Sequence, residues 1–576
     1  MTFSVWPAQS QQIADQFAPE IASGINAKRR GEAVRAKRWM AVVANPLAAK
    51  AAADVLRAGG SAADAAIAAQ AVLGLVEPQS SGLGGGAFVV YYDAKTKTVT
   101  TLDGRETAPM AATPKLFQKP DGEPMGFFDA VIGGRSVGTP GTPALMKAMH
   151  EKWGIKPWAS LLQPAISTAS NGFAVSPRLA ALVAFDAQRL SSDPKTAAYF
   201  LPGGKALVAG DILKNPAYAQ TLINLQSGLD DFYGGGTAAA IVAAVRRNRA
   251  NPGLLTLSDL KAYAVKERSA VCAPYRGHSV CGMGPPSSGA LTVGQILMLL
   301  EGADLKGMGA QSADAWRLIG DASRLAFADR GRYMADSDFV KVPTKGLLDA
   351  GYMKTRAQLL NSSKNAKALG SVKPGKPPHD RADLNYADDA SLELPSTSHL
   401  SIVDAEGNMV SMTTTIENAF GSRVMVGGFL LNNELTDFSF RYQRDGVAIA
   451  NRVEPGKRPR SSMAPTIVLK DGSPTMVVGS PGGSRIIGYV AKTIIAHIDW
   501  GMDAQQAVSS PHLINRFGTF DLENVPALDP IERQLKALGF KTNRRALTSG
   551  LHVITLSNGE LLGGADPRRE GVALGE

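Results

Sequence analysis

Residues 397–415 read TSHLSIVDAEGNMVSMTTT. Apolar and polar side chains alternate with a period of two on either side of DAEGN, so the segment predicts two paired strands joined by a tight turn. A hydroxyl residue, Thr397, opens the first strand. Downstream, SMAPTIVLKDGSPTMVVGSPGGSR (462–485) predicts a second strand pair turning at Asp471-Gly472. It ends in a Gly-rich loop that feeds the apolar helical segment IIGYVAKTIIAHIDW (486–500).

Upstream the character differs. Residues 362–396, SSKNAKALGSVKPGKPPHDRADLNYADDASLELPS, are dominated by Lys, Pro, Ser and Asp with few apolar anchors. A loop of that length is rare inside a domain unless it is functional or processed, and this one predicts an exposed, cleavable connection. Further back, ANPLAAKAAADVLRAGGSAADAAIAAQAVLGLVEP (44–78) predicts two Ala-rich helices, with Gly59-Gly60 ending the first. Ser61 and Asp64 make a capping-box start for the second. SSGLGGGAFVVYYDAKTKTVTTLDGRETAP (80–109) predicts a Gly-rich turn and a hairpin ending near Arg105, and 135–270 reads as largely helical. Residues 1–40 read as a polar, flexible lead-in holding a basic cluster, Lys28, Arg29, Arg30, Arg35, Lys37 and Arg38, expected to be solvated.

The chain has 576 residues, 44% apolar and 19% charged, which excludes disordered and fibrous classes. Its net charge of +10 is modest for this length, and no aromatic residues interleave with the basic cluster, so nucleic acid is not an expected partner. No run of 18 apolar residues predicts a membrane span, and no signal peptide is readable in the first 40 residues. The two cysteines, Cys272 and Cys281, flank a segment that can turn at Arg276-Gly277 and set them opposite one another. At this point two readings stand: a disulfide, which requires an oxidising compartment, or two reduced thiols packed as small hydrophobes.

The seven histidines are scattered without metal-ligand spacing, and the glycines at 82–86 and 479–483 fit neither a dinucleotide fingerprint nor a P-loop. No metal and no organic cofactor is expected. What remains is the junction Ser396-Thr397. Cleavage there would give Thr397 a free α-amine beside its own hydroxyl, so one residue would hold both nucleophile and general base. An α-amine pKa of about 7.7–8.0 suits that base near neutral pH. A Thr at a strand start is otherwise a structural residue.

From Ala41 nearly to the C-terminus the chain resembles the γ-glutamyltranspeptidases, or glutathione hydrolases, which are self-cleaving N-terminal-nucleophile enzymes. The resemblance is carried by GGSAADAAIAAQAVLGLVEPQSSGLGGGAF, LDGRETAP, GTPGTPALM, PPSSGALT, LAFADRGRYMADSDFVKVP, TSHLSIVDAEGN, LLNNELTDFS, KRPRSSMAPTIV and GSPGGSRII, in the family's order. It implies an α+β fold, a four-layer αββα sandwich, built jointly by a large subunit (41–396) and a small one (397–576). It implies cleavage between Ser396 and Thr397, Thr397 as nucleophile, Thr415 as the hydroxyl supporting its amine, and Gly482 and Gly483 as the oxyanion-hole amides. Arg105, Ser461 and Ser462 match the clamp on the substrate α-carboxylate, and Glu434 and Asp437 the pair holding its α-ammonium. The implied reaction is transfer of a γ-glutamyl group from glutathione or a related amide to water or to an amino-acid or peptide amine.

Two departures qualify this. Glu417 stands where glutamyl enzymes of the family commonly carry Asn, and an ionised Glu would repel the substrate carboxylate. The segment Phe438–Arg460 is shorter than the lid of some members. Both leave room for a same-fold amidase acting on another acyl group, as in cephalosporin or glutaryl acylases; a non-catalytic binding protein is the more distant alternative. The paired cysteines point to a periplasmic or secreted location, with the cytoplasm as the alternative.

Overall fold

The structure, a computed structural model, describes residues 18–360, 366–379, 384–389 and 396–576. Two seven-stranded sheets lie at its centre. In the first, strands run in the order 572–575, 40–43, 398–403, 409–415, 86–93, 98–104 and 266–269; in the second, 34–36, 560–565, 552–557, 473–479, 466–470, 278–282 and 271–275. Every neighbouring pair in both sheets is antiparallel.

The period of two in the strands explains the layering. Met40, Val42, Val90, Tyr92, Val403 and Met409 from one sheet meet Ile467, Val477 and Ile554 from the other in a shared inner core. Their alternate neighbours point outward. Ala41, Val43, Val89, Leu400, Ile402, Val410 and Met412 pack under the Ala-rich helices Pro46–Arg57 and Ala62–Val76. Val280, Val468, Met476, Val478 and Val553 pack under helices Gly289–Leu299, Ala313–Tyr333 and Ile486–Ile498. The result is the four-layer αββα sandwich. Ala62–Val76 is buried along its whole length, so its Ala content reflects close helix–sheet packing; its start is the expected capping box of Ser61 and Asp64.

Residues on both sides of Thr397 supply strands to both sheets. Strand Ser398–Val403 is central, paired with Met40–Val43 and with Met409–Thr415. Cys272 and Cys281 face each other across the hairpin that turns at Arg276-Gly277, and their sulfurs are bonded. No helix among the described residues is long and apolar enough to cross a membrane.

The N-terminal region differs from the expectation of a flexible lead-in. Residues 1–17 lie outside the described part, but Pro19–Arg30 is a helix and Val34–Ala36 an edge strand paired with Leu561–Gly563. Ile21 and Ile25, four residues apart, seat the helix on the core, while a Cβ on Gly24 would lie 2.6 Å from the Ala573 carbonyl. Lys28 is likewise not solvated as expected: its ammonium donates to the carbonyls of Arg569 (3.0 Å) and Gly571 (2.5 Å). Two isoleucines suffice to dock a helix whose other faces are charged, and such a sparse stripe is easily read as solvated. Residues 361–365, 380–383 and 390–395 of the long connection also lie outside the described part.

Candidate active site

Hairpin register builds the centre. Ser398 faces Thr414, so Thr397, one step earlier, comes opposite Thr415. The Thr397 hydroxyl donates to the Thr415 hydroxyl at 3.3 Å, and Thr415 Oγ1 accepts the Glu417 N–H at 2.8 Å. Thr397 is buried and has φ of 96°. A β-branched residue takes that left-handed conformation only under constraint, at a cost of about 1–3 kcal/mol. The constraints lie on both sides of the Ser396–Thr397 peptide. The Ser396 carbonyl accepts the Gly482 N–H at 3.1 Å, and the Ser396 hydroxyl donates to the Gln79 carbonyl at 3.1 Å. The Thr397 carbonyl accepts Arg569 Nη1 at 2.9 Å, and Ser398 donates to Glu77 at 2.7 Å.

Gly482 and Gly483 connect strand Ser473–Gly479 to helix Ile486–Ile498 through a single 3₁₀ turn. Their φ angles are 140° and 58°, and a Cβ on Gly482 would lie 2.8 Å from the Tyr489 ring. Conformation and space therefore both require glycine at 482, whose amide faces the junction.

The second half of the site is a charged pocket. Arg105, at the end of strand Thr98–Gly104, is fully buried. Its guanidinium donates to Glu434, to Asp437 Oδ2 at 2.6 Å and to the Arg460 carbonyl at 2.9 Å. Glu434 and Asp437 bound one 3₁₀ turn, and Leu435 inside it packs on Leu116, Phe117 and Phe438. Glu106 lies beside this pair, and Glu417 receives an N–H from the Asn433 carboxamide. Four carboxyls thus surround one guanidinium. Burial, reinforced by neighbouring carboxylates, holds the proton on Glu106 and Glu417 well above the usual range. Burial raises Glu434 too, although Arg105 opposes that rise. Burial alone would weaken the charge on Arg105, but Glu434, Asp437 and Glu106 strengthen it. Ser461 Oγ accepts the Met463 N–H at 3.1 Å, and Ser462 Oγ accepts Arg330 Nη2 at 2.6 Å.

One small cleft of about 20 Å³ is lined by Thr397, Thr415, Gly483, Arg105, Glu417, Glu434, Asp437, Ser461 and Ser462. Gly482 and Ser396 stand at its edge, joined by their hydrogen bond. The fold therefore brings together every site residue expected from the sequence. Sequence reading missed Glu106, Asn433, Arg330 and Arg569. The first adjoins Arg105 in LDGRETAP and was within reach; Arg569 contacts a residue 172 positions away, a distance no spacing rule spans. GRSVG (134–138) has the spacing of a serine-hydrolase nucleophile elbow, but Ser136 is buried and its hydroxyl donates to the Val131 carbonyl at 2.6 Å. Among the described residues no His, Cys, Asp and Glu group is arranged to hold a metal ion.

Stacked antiparallel sheets between helical layers, with a Thr opening a central strand against glycine amides, define the N-terminal-nucleophile hydrolase class. Residues 48–576 match the γ-glutamyltranspeptidase family, and the chain belongs to that family. It is 37% identical to the glutathione hydrolase proenzyme of Bacillus subtilis strain 168 over 94% of this chain and 92% of that protein. Against the glutathione hydrolase proenzyme of Escherichia coli K12 it is 36% identical, over 96% and 94% of the two chains. The crystal structure of cephalosporin acylase from Bacillus halodurans superposes with a TM-score of 0.83 at 26% identity, covering 95% of this chain and 97% of that one.

Proposed function

We propose that this protein is a self-cleaving γ-glutamyl hydrolase and transferase acting on glutathione and related γ-glutamyl amides through Thr397. The observation that carries the reading is the double engagement of the junction: Thr397 Oγ1 on Thr415, and the Ser396 carbonyl on the Gly482 amide. In maturation the Thr397 hydroxyl oxygen bonds to the Ser396 carbonyl carbon. The C–N bond to Thr397 breaks, the hydroxyl proton ends on the departing nitrogen, and water hydrolyses the resulting ester. The products are a chain ending in Ser396 and a chain 397–576 with a free Thr397 amine.

In turnover Thr397 Oγ1 attacks the γ-amide carbonyl of the donor. Gly482 and Gly483 donate to the oxyanion that develops, in a dry site where such donors act most strongly. The Thr397 amine takes the hydroxyl proton and returns it to the leaving amine. Water or an amine then releases the γ-glutamyl group. Arg105 with Ser461 and Ser462 receives the donor α-carboxylate, and Glu434 with Asp437 its α-ammonium; in the free protein Arg105 is paired directly with both carboxylates, and a bound zwitterion exchanges those pairs for its own.

Glu417 and the likeness to the cephalosporin acylase favour one second reading, an amidase of this fold for another acyl group. Turnover of γ-glutamyl-anilide against a glutaryl-amide separates the two. Intact mass and N-terminal sequencing test the nucleophile: two chains are expected, the smaller beginning Thr-Ser-His-Leu-Ser. Thr397→Ala is expected to remain a single chain of 60.4 kDa without activity, and normal cleavage in that variant would overturn the mechanism. The Cys272–Cys281 bond supports a periplasmic or extracellular location. Free thiols in protein taken from its native compartment would count against it.

A further inference from the structure

Arg569 is an unusual partner for a backbone carbonyl. It lies near the C-terminus, is 5% exposed, and reaches across the molecule to the carbonyl of Thr397. Its second amino group donates to the Thr548 carbonyl at 3.1 Å, which fixes the plane of the guanidinium. Its own carbonyl is held by Lys28. Thr397 is thereby gripped from two directions. Gly482 holds the carbonyl before it and Arg569 the carbonyl after it, and between the two grips lies the left-handed φ of 96°. Relaxing that torsion would require breaking one of the two hydrogen bonds.

The same guanidinium has a second consequence once the junction is cut. The Thr397 nitrogen lies within about 3.6 Å of its own carbonyl oxygen, the span of one residue. With 2.9 Å from that oxygen to Arg569 Nη1, a fixed cation stands within about 6.5 Å of the new α-amine. Like charge at that range disfavours the ammonium form and keeps the amine a free base. The other titratable groups near the junction are Glu77 with Arg178 behind Ser398, and Asp566, Glu570 and Lys28 beside Arg569; across the cleft stand Glu434, Asp437 and Arg105, with Glu417 holding its proton.

We propose that Arg569 is a positioning residue with two successive tasks: it holds the strained conformation in which the Ser396–Thr397 bond is cut, and afterwards it keeps the Thr397 amine deprotonated. The proposal rests on Thr397 as the nucleophile of the function given above. It requires a cation at this position for the second task and a fork-shaped donor for the first, so the two are separable by substitution.

Arg569→Met removes charge and donors; Arg569→Lys keeps the charge but puts its donors on one nitrogen in place of the two-armed fork. Self-cleavage of freshly translated precursor, followed by gel, is expected to slow about tenfold or more in Arg569→Met, the loss of one charged hydrogen bond. The acidic limb of kcat/KM for γ-glutamyl-anilide, measured on protein allowed to mature fully, is expected to move up by about one pH unit in Arg569→Met and to stay in place in Arg569→Lys. Cleavage at the wild-type rate overturns the first task, and an unmoved limb overturns the second. Equal losses in both variants with an equal drop in thermal midpoint would mark Arg569 as merely structural and overturn both. Wild-type protein that cuts itself but does not turn over γ-glutamyl-anilide would sink the donor assignment instead, while slowed cleavage in Arg569→Met would still sustain the first task.

Discussion

Glu417 is held by the Asn433 carboxamide and by its own N–H on Thr415, and it shares a nearly dry cleft with Asp437 and Glu434. Burial first, and those two carboxylates second, keep it protonated well above the ordinary Glu range. In that neutral form it offers a donor and an acceptor much as a carboxamide does, which reconciles a Glu at this position with a carboxylate-bearing donor. As pH rises through its folded value the group ionises beside the donor α-carboxylate, so KM for γ-glutamyl-anilide is expected to climb. In Glu417→Asn the climb should vanish; parallel KM profiles in the two proteins between about pH 6 and 9 would exclude a role for its titration. Linkage gives the companion sign. The unfolded chain releases this proton above about pH 4.3 while the folded one keeps it, so the group costs stability as pH rises through that window, and Glu417→Asn should be the more stable protein at neutral pH. The Glu was legible in the sequence as a departure. That burial and the carboxyls of Asp437 and Glu434 would neutralise it was not, because those groups come together around it only through packing.

Strand pairs were the most legible elements, since each antiparallel hairpin is fixed by a local turn and a period of two. The turn at DAEGN predicts the pairing that sets Thr397 against Thr415, and the turn at Arg276-Gly277 sets Cys272 against Cys281. The assignment of hairpins to sheets was not legible: residues 266–269 and 271–275, nearly continuous in the chain, lie in different sheets. The helix Pro19–Arg30 escaped because its docking stripe is only two isoleucines wide. Loop 480–485 belongs to the same scale, because its conformation comes from the strand and helix it joins. Gly482→Ala places a methyl against Tyr489 at a φ of 140° and tilts the amide that holds the Ser396 carbonyl. Loss of one oxyanion donor costs about 2.7–4 kcal/mol, so kcat is expected to fall about 100- to 1,000-fold. Self-cleavage should slow with it, since in the proposed mechanism one amide serves both reactions. A drop in kcat smaller than about tenfold, in protein with an unchanged thermal midpoint, would remove the loop from the oxyanion role.

The two sheets interlock through polar groups near the site as well as through apolar ones away from it. Ser411 Oγ donates to the Val478 carbonyl at 3.1 Å, and Ser401 Oγ to the His552 carbonyl at 3.0 Å, each joining one sheet to the other. Between them His399 of one sheet stacks on His552 of the other, with ring centroids 6.2 Å apart. His399 has Thr413 and Ser401 on its two ring nitrogens, whereas neither nitrogen of His552 has a hydrogen-bond partner among the described residues. Burial, with His552 adding to it, drives His399 well below the usual imidazole value; burial, opposed by Asp566 but helped by Lys28 and Arg569, drives His552 to about 3. Both rings are therefore neutral in the folded protein at any pH near neutrality, while the unfolded chain binds protons on them below about 6.5. The sign follows. Their contribution to stability is complete above about pH 6.5 and is lost as pH falls from there toward 3, at up to about 1.4 kcal/mol per pH unit for each proton the unfolded state takes up. Because strands from both sides of residue 397 are hydrogen-bonded to one another in each sheet, acid should release the two proposed subunits and unfold them in one event. Thermal midpoints of the processed enzyme are expected to fall steeply below about pH 6.5 and to flatten in His552→Leu, whatever that substitution costs at pH 8 through altered packing. A pH slope in His552→Leu as steep as in the parent protein would show that the sheet interface is not where acid acts.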